Sequence, residues 1–195
     1  MKKILFVFAL TLLFATLSFA KTFEIDSVHS TIGFKVSHLV GNVTGNFREF
    51  KGTIEMDEKS PANSKVSAEI EAKTINTNNE KRDEHLRSKD FFEADKYPKL
   101  TFKSGKIITS GKDKGKIHGT LSMHGVEKEV VLEVKLNGIV KDPFNPTVER
   151  AGFSATTKID RKDFNIVFNK VLDKGALMVG NEVEINLEIE AVEKK

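Results

Sequence analysis

The chain is 195 residues long, carries 31 lysines and arginines against 28 acids, and has no cysteine. Disulfides, thiolate metal sites and cysteine nucleophiles are excluded, so stability has to come from packing. The surplus of base is local: Lys2 and Lys3 lie in a leader-like start, and without them 29 basic residues face 28 acids. Those charges are interleaved, with no basic stripe that carries aromatics between its cations, which argues against a nucleic-acid partner.

Met1 to Ala20 reads as a signal peptide. Lys2 and Lys3 precede an apolar run from Ile4 to Leu17 that is too short to span a bilayer comfortably, and Ser18-Phe19-Ala20 places small residues where a signal peptidase inspects them. Cleavage before Lys21 is expected, with a periplasmic or secreted product. No cysteine stands there to accept a lipid and no later segment has transmembrane character, so no stable membrane anchor is expected. Residues 21–195, about 175 in number, suffice for one domain, because a chain of that size buries roughly 70% of its extended surface.

From here the sequence alternates with period two. After a short strand around Phe23 to Ile25, the residues Ile32, Phe34 and Val36 face one way while Thr31, Lys35 and Ser37 face the other. Between Gly45 and Met56 the apolar phase flips, from odd at Phe47 to even at Phe50, Ile54 and Met56, which requires a bulge or bend near Arg48 and Glu49. Alternation resumes in Val66-Ala68-Ile70-Ala72, pauses, and returns after Pro98 at Leu100 and Phe102. It continues in Ile117-Gly119-Leu121-Met123, Val130-Leu132-Val134-Leu136, Ala151-Phe153-Ala155 and Val183-Ile185-Leu187-Ile189. Turn chemistry separates these runs at Ser60-Pro61-Ala62-Asn63, Ser110-Gly111-Lys112, His124-Gly125, Asp142-Pro143 and Gly180-Asn181. Lys170 to Val179 is the longest later stretch without a clear period.

The pause between Ala72 and Leu100 has helix chemistry. Thr77 with Glu80 three residues on reads as a capping box, and Asp83 with Arg87 as an i,i+4 ion pair. The resulting expectation is an all-β protein, an antiparallel barrel of about eight strands with one short helical insertion near residues 79–95. A barrel is preferred over a sandwich because one helix cannot cover a large open sheet.

The alternation assigns an inward face, and its central members are the expected lining of a ligand cavity: Phe34, Val36, Ala68, Ile70, Phe102, Leu121, Leu132, Phe153, Ala155 and Leu187. Small residues among the inward set, Gly33, Ala68, Ala72, Gly119 and Ala155, either let neighbours interdigitate or leave empty volume, and barrels of about eight strands come both filled and hollow. The helical insertion is the natural gate. Arg82 and His85 are candidates to meet a polar or anionic headgroup at its mouth, with Phe91, Phe92 and Tyr97 on the rim.

Other constellations carry less. Ser30 and His29 are adjacent on an extended chain and point to opposite faces, and no Gly-x-Ser-x-Gly elbow exists, so they do not form a nucleophile and base. Asp26 and Ser30 are expected to satisfy backbone groups where the first two strands meet. His118 and His124 share a face but lie about 20 Å apart along a strand, while His29 and His38 fall on opposite faces, so no histidine pair within one strand can chelate a metal. No catalytic and no metal residues are assigned.

Taken together, Asp26-x-x-His29-Ser30 with Phe34 and His38, Gly45-x-Phe47-x-x-Phe50-x-Gly52, Arg82-Asp83-x-His85-Leu86 with Asp90-Phe91-Phe92 and Tyr97-Pro98, Gly119-x-Leu121-x-Met123-His124-Gly125-Val126-x-Lys128, Gly152-Phe153-x-Ala155, Arg161-x-Asp163-Phe164 and Val179-Gly180-Asn181-x-Val183 resemble the YceI-like family of exported lipid-binding proteins. Order and spacing over about 160 residues carry the resemblance. It implies a lipocalin-like barrel around an elongated apolar cavity for a polyisoprenoid, an isoprenoid quinone or a fatty-acyl lipid. It also implies no established catalytic residue, no cofactor beyond that bound amphiphilic lipid, and a homodimer as a candidate assembly. Asn165 and Asn181 stand where the family more often has glycine and aspartate, and asparagine tolerates the positive φ such turns need. The leading expectation is a carrier. An enzyme using His85 with Asp83 or Glu84 on such a lipid, and a packed barrel that binds another envelope protein, are the alternatives.

Overall fold

Alternating apolar and polar residues commit most of the chain to strands, and in the computed structural model, which describes residues 20–171 and 177–195, those strands close on themselves. The expected leader and the middle of the Lys170 to Val179 stretch lie outside the described residues. The strands are β1 (Lys21–Ile25), β2 (Thr31–His38), β3 (Gly41–Phe47), β4 (Phe50–Met56), β5 (Lys65–Glu71), β6 (Ile75–Asn76), β7 (Lys99–Ser110), β8 (Lys114–Met123), β9 (Val126–Lys141), β10 (Glu149–Asp160) and β11 (Val179–Glu193). All pair antiparallel. β1 and β2 lie end to end along β11, and β3 and β4 follow one another across the break at Arg48 and Glu49. The segments therefore make eight staves, in the order β1/β2, β3/β4, β5, β7, β8, β9, β10, β11 and back to β1/β2, with β6 a short addition to β3. This is the all-β, eight-stranded barrel with one helix that the alternation called for.

Two register shifts were not visible in the sequence. One in β7 between Ser104 and Ile107 moves the inward phase from Leu100 and Phe102 to Ile107 and Thr109. The other, in β9 at Gly138 (φ 155°), turns Ile139 inward after Leu132, Val134 and Leu136. Each bulge inserts residues into one strand only, which steepens the coil that closes a small barrel. Most of the expected turns are in place: His124 (φ 52°) and Gly125 (φ 74°) form the two-residue connection between β8 and β9, and Asn165 holds φ 60°. Gly180-Asn181 is a correction: it is no turn but lies inside β11, where the register against β2 shifts between Val179 and Val183, and Asn181 does not take a positive φ.

One end of the barrel is covered by residues 72–98, including α1 (Glu80–Arg87), the one α-helix among the described residues. Here two expectations are corrected. Asn79 caps the helix, its side chain accepting from the Arg82 amide at 3.1 Å, and Thr77 does not form a capping box with Glu80. Asp83 is 3% exposed and pairs with Thr77, accepting from its amide at 2.9 Å and from its hydroxyl, while Arg87 reaches Glu80 at 2.7 Å. A buried carboxylate requires donors inside the protein, and Thr77 supplies two. Arg82 completes the knot, donating from Nε to Thr77 Oγ1 at 2.7 Å and from Nη2 to Thr77 O at 2.8 Å.

Apolar packing is concentrated under this lid, where Phe47, Ile75, Phe91, Ala94, Leu100, Met123, Phe164 and Ile166 are buried together. A smaller cluster of Phe23, Ile54, Met56, Ala151 and Ala191 ties β1 and β4 to β10 and β11. Between them, inward side chains such as Phe34, Val66, Val134, Ile185 and Leu187 are only half-buried although they point at the barrel axis. Their neighbours across the barrel are missing, which is the signature of a hollow interior.

Candidate functional site

The interior holds a cavity of about 630 Å³, inside the range of about 300–1,000 Å³ found for small-molecule sites. All ten residues expected on its wall line it: Phe34, Val36, Ala68, Ile70, Phe102, Leu121, Leu132, Phe153, Ala155 and Leu187. Of the small inward residues, Ala68, Ala155 and Gly33 also border it, while Ala72 does not: it is fully buried in a 3₁₀ turn over Ala72–Thr74. Gly119 contributes differently. A Cβ there would stand 2.4 Å from Phe102 Cζ, and one at Gly45 would stand 2.4 Å from Phe34 Cζ. These glycines let two phenyl rings lie against the wall, so the axis stays open.

The cavity runs from Leu86, Phe91, Phe92 and Met123 under the lid to Pro61, Thr109 and residues 111–114 at the opposite end. There Glu58, Lys112, Asp113 and Lys114 border it and are exposed, so the interior meets solvent at that far end. The rim expected around the helix is arranged otherwise. Phe91 and Phe92 line the cavity, but Arg82, His85 and Tyr97 do not. Arg82 is spent on Thr77. His85 meets Asp90 at 2.9 Å and sets its ring edge against Phe91 and Phe168 at 5.1 and 4.9 Å. Tyr97 packs edge-on to His124 at 4.8 Å and covers Gly125. The insertion is a latched lid, held by a buried carboxylate and not by weak surface ion pairs.

Sequence reasoning gave Arg161 no role, yet it is the buried charged residue on the wall at the lid end. The period of Ala151, Phe153 and Ala155 continues through Thr157 and Ile159 to Arg161, so its inward direction was legible. A 3₁₀ turn over Arg161–Phe164 fixes it: Asp160 accepts from the Lys162 amide at 2.8 Å, Asn165 turns the chain, Phe164 and Ile166 are buried, and His124 Nδ1 donates to Phe164 O at 3.0 Å. The guanidinium donates from Nε to Gly180 O at 2.9 Å and from Nη1 to Ile166 O at 2.7 Å, while Nη2 is buried with no hydrogen-bond partner among the described residues. Burial lowers its pKa from the ordinary arginine value.

Away from the lid, Asp26, His29 and Glu190 bring three potential metal-ligand atoms within 4.8 Å of one another. Arg150 already supplies the cation, with Nη1 at 3.2 Å from Asp26 and 2.5 Å from Glu190, and Nε at 2.6 Å from Asp142. The His29 hydrogen bond, with help from the Val28 amide and Arg150, draws the Asp26 carboxyl down to about 2, and Asp26 in turn raises the His29 pKa. Ser30 exchanges hydrogen bonds with the Glu190 backbone at 3.1 and 2.9 Å, stitching the break between β1 and β2 to β11. This cluster staples strands.

A model of the YceI-like domain matches residues 23–191. The chain is 40% identical over 200 residues to Protein YceI of Salmonella newport (strain SL254), with both chains fully covered. Among solved structures it is similar to the YceI protein of Campylobacter jejuni, at 36% identity and a TM-score of 0.70 over 87% of this chain and 96% of that one. It shares its fold with a polyisoprenoid binding domain from Saccharophagus degradans, at 16% identity and a TM-score of 0.67 over 90% of this chain and 99% of that one.

Proposed function

The chain belongs to the YceI-like family, and from that premise and its hollow barrel we propose that it is an exported, soluble carrier that holds one elongated apolar ligand, a polyisoprenoid, isoprenoid quinone or fatty-acyl lipid. The observation that carries this reading is the continuous apolar cavity of about 630 Å³, latched at one end and open to solvent at the other. Gly45 and Gly119 let Phe34 and Phe102 lie against the wall, which is how the axis stays open. The description of the Saccharophagus degradans domain supports an isoprenoid among the ligands, and the leader-like start supports export. The enzyme reading has less support, since none of His85, Asp83 and Glu84, its candidate acids and bases, lines the cavity: His85 meets Asp90, Asp83 is bound by Thr77 and Glu84 is exposed.

Native mass spectrometry of the protein purified from its own cell envelope, followed by solvent extraction, tests the proposal. The expected result is a one-to-one adduct whose extract is an unaltered lipid. Conversion of that lipid during incubation would favour an enzyme, and an empty protein that also refuses added lipid would favour the binding module.

A further inference from the structure

Building on the carrier reading, we propose that Arg161 is the headgroup anchor, and that the ligand is a single-tailed amphiphile with a compact anionic head, inserted head-first toward the lid with its tail running to the far end. Two parts of the sequence that lie apart, Arg161-x-Asp163-Phe164 and Val179-Gly180-Asn181, meet at this one side chain. Its position is over-determined by the Asp160 cap, the left-handed Asn165, two buried apolar neighbours and two carbonyl acceptors.

What remains unsatisfied is chemical. Arginine stays protonated in a protein, so Arg161 brings a full positive charge to an apolar wall. It is 4% exposed, and no carboxylate among the described residues pairs with it: Asp160, its neighbour, turns to the Lys162 amide. The two carbonyls use Nε and one hydrogen of Nη1, leaving both hydrogens of Nη2 without an acceptor among the described residues. A buried cation of this kind is costly unless an anion or strong acceptor joins it. The apolar side chains that line the cavity at the lid end, among them Leu86, Phe91, Met123 and Ile166, offer none among the described residues. A carboxylate or phosphate does, because its oxygens match the fork of a guanidinium and suit it better than a neutral head. Nothing at the far end competes as strongly, since Lys112 and Lys114 are exposed there beside Glu58 and Asp113 and stay hydrated.

The test uses delipidated protein and two matched probe pairs: hexadecanoate with its methyl ester, and geranylgeranyl phosphate with geranylgeraniol. Tails are equal within each pair, so only the head differs. The anionic member of at least one pair should bind about ten- to hundredfold tighter, the value of a hydrogen bond to a charged group, and which pair shows it tells a carboxylate from a phosphate head. Arg161→Gln should erase that preference while still binding the uncharged partner, and Arg161→Lys should retain part of it. Should Arg161→Gln not fold, the double variant Lys112→Ala, Lys114→Ala decides: a preference that survives it belongs to Arg161, and one that vanishes belongs to the far rim and overturns the anchor. Equal affinity within both pairs would overturn the anchor and leave the carrier standing. Failure to bind any of the four would overturn the carrier reading and the anchor with it.

Discussion

Removing one buried carboxylate should unlatch the lid without loosening the barrel. Asp83→Ala deletes the acceptor of the Thr77 amide and hydroxyl and leaves that amide buried without a partner. Two hydrogen bonds to a charged group are together worth about 3–6 kcal/mol, offset in part because the mutant no longer has a carboxylate to desolvate, which leaves an expected net cost of about 2–4 kcal/mol. Before Thr77 the lid is tied to the barrel by the β6–β3 ladder and the buried Ile75, whereas α1 and the turn after it pack on the core with apolar side chains, Leu86, Phe91, Phe92 and Ala94, so this loss should appear first as local opening of that part. Native-state hydrogen exchange reads it directly. The amides of Asp83, Phe92 and Ala94, bonded to Asn79 O, Leu86 O and Arg87 O, should lose about a hundredfold in protection, while those of β8 and β9 keep theirs. A uniform loss across the strands would show that lid and barrel open as one unit. Unchanged protection at all three amides would mean that the Thr77–Asp83 contact does not hold the lid.

Two further outcomes are expected. Ala155→Phe, on the wall opposite Val134 and Leu187 in register, should cut binding of a long-chain fluorescent probe at least tenfold yet lower stability by less than the roughly 1–3 kcal/mol that overpacking costs a filled core; a large fall in melting temperature would show that the space is not free. Stability should also fall in acid over a defined window. Glu149, held near 2 by Lys21 and Lys141, and Asp26, held near 2 chiefly by His29, have folded pKa values below their unfolded ones, so what they contribute is present above about pH 4.5 and is lost as pH drops through 4 toward 2. Melting curves from pH 6 to pH 2 at fixed ionic strength check this, and a flat profile below pH 4.5 would remove both groups from the account.

Much of the barrel was legible because the side-chain period of a strand is two and the wall is apolar on one face only. The phase flip at Arg48 and Glu49 and the ten cavity residues followed from that rule, whereas the positive φ of Asn165 followed from the glycine usual at that place in the family the chain resembles. The bulges at Ser104 to Ile107 and at Gly138 did not, since a bulge leaves the composition of a strand unchanged and only re-aims what comes after. The helix was read with templates for neighbours three or four apart. Its controlling contact, Thr77 to Asp83, spans six residues across a loop and a cap, so capping box and ion pair were both assigned to the wrong partners. Arg161 stood in the inward phase of Phe153 and Ala155 all along. A charge there contradicts the expectation of an apolar wall, and it drew no role for that reason.

That charge bears on how a barrel of this kind can choose its ligand at all. Each CH₂ moved out of water is worth about 0.8 kcal/mol, but a lipid tail that leaves a membrane for the cavity moves between two apolar surroundings and gains almost nothing per carbon. Selection therefore falls to the bore and to the ends. Phe34 and Phe102, folded over Gly45 and Gly119, set the bore. The ends are unlike: exposed charges of both signs on the far rim, where water screens them, and a single buried guanidinium beneath a latched lid, where it does not. An electrostatic contact weighs most where water is excluded, so the same lid that closes one end of the barrel strengthens whatever Arg161 holds.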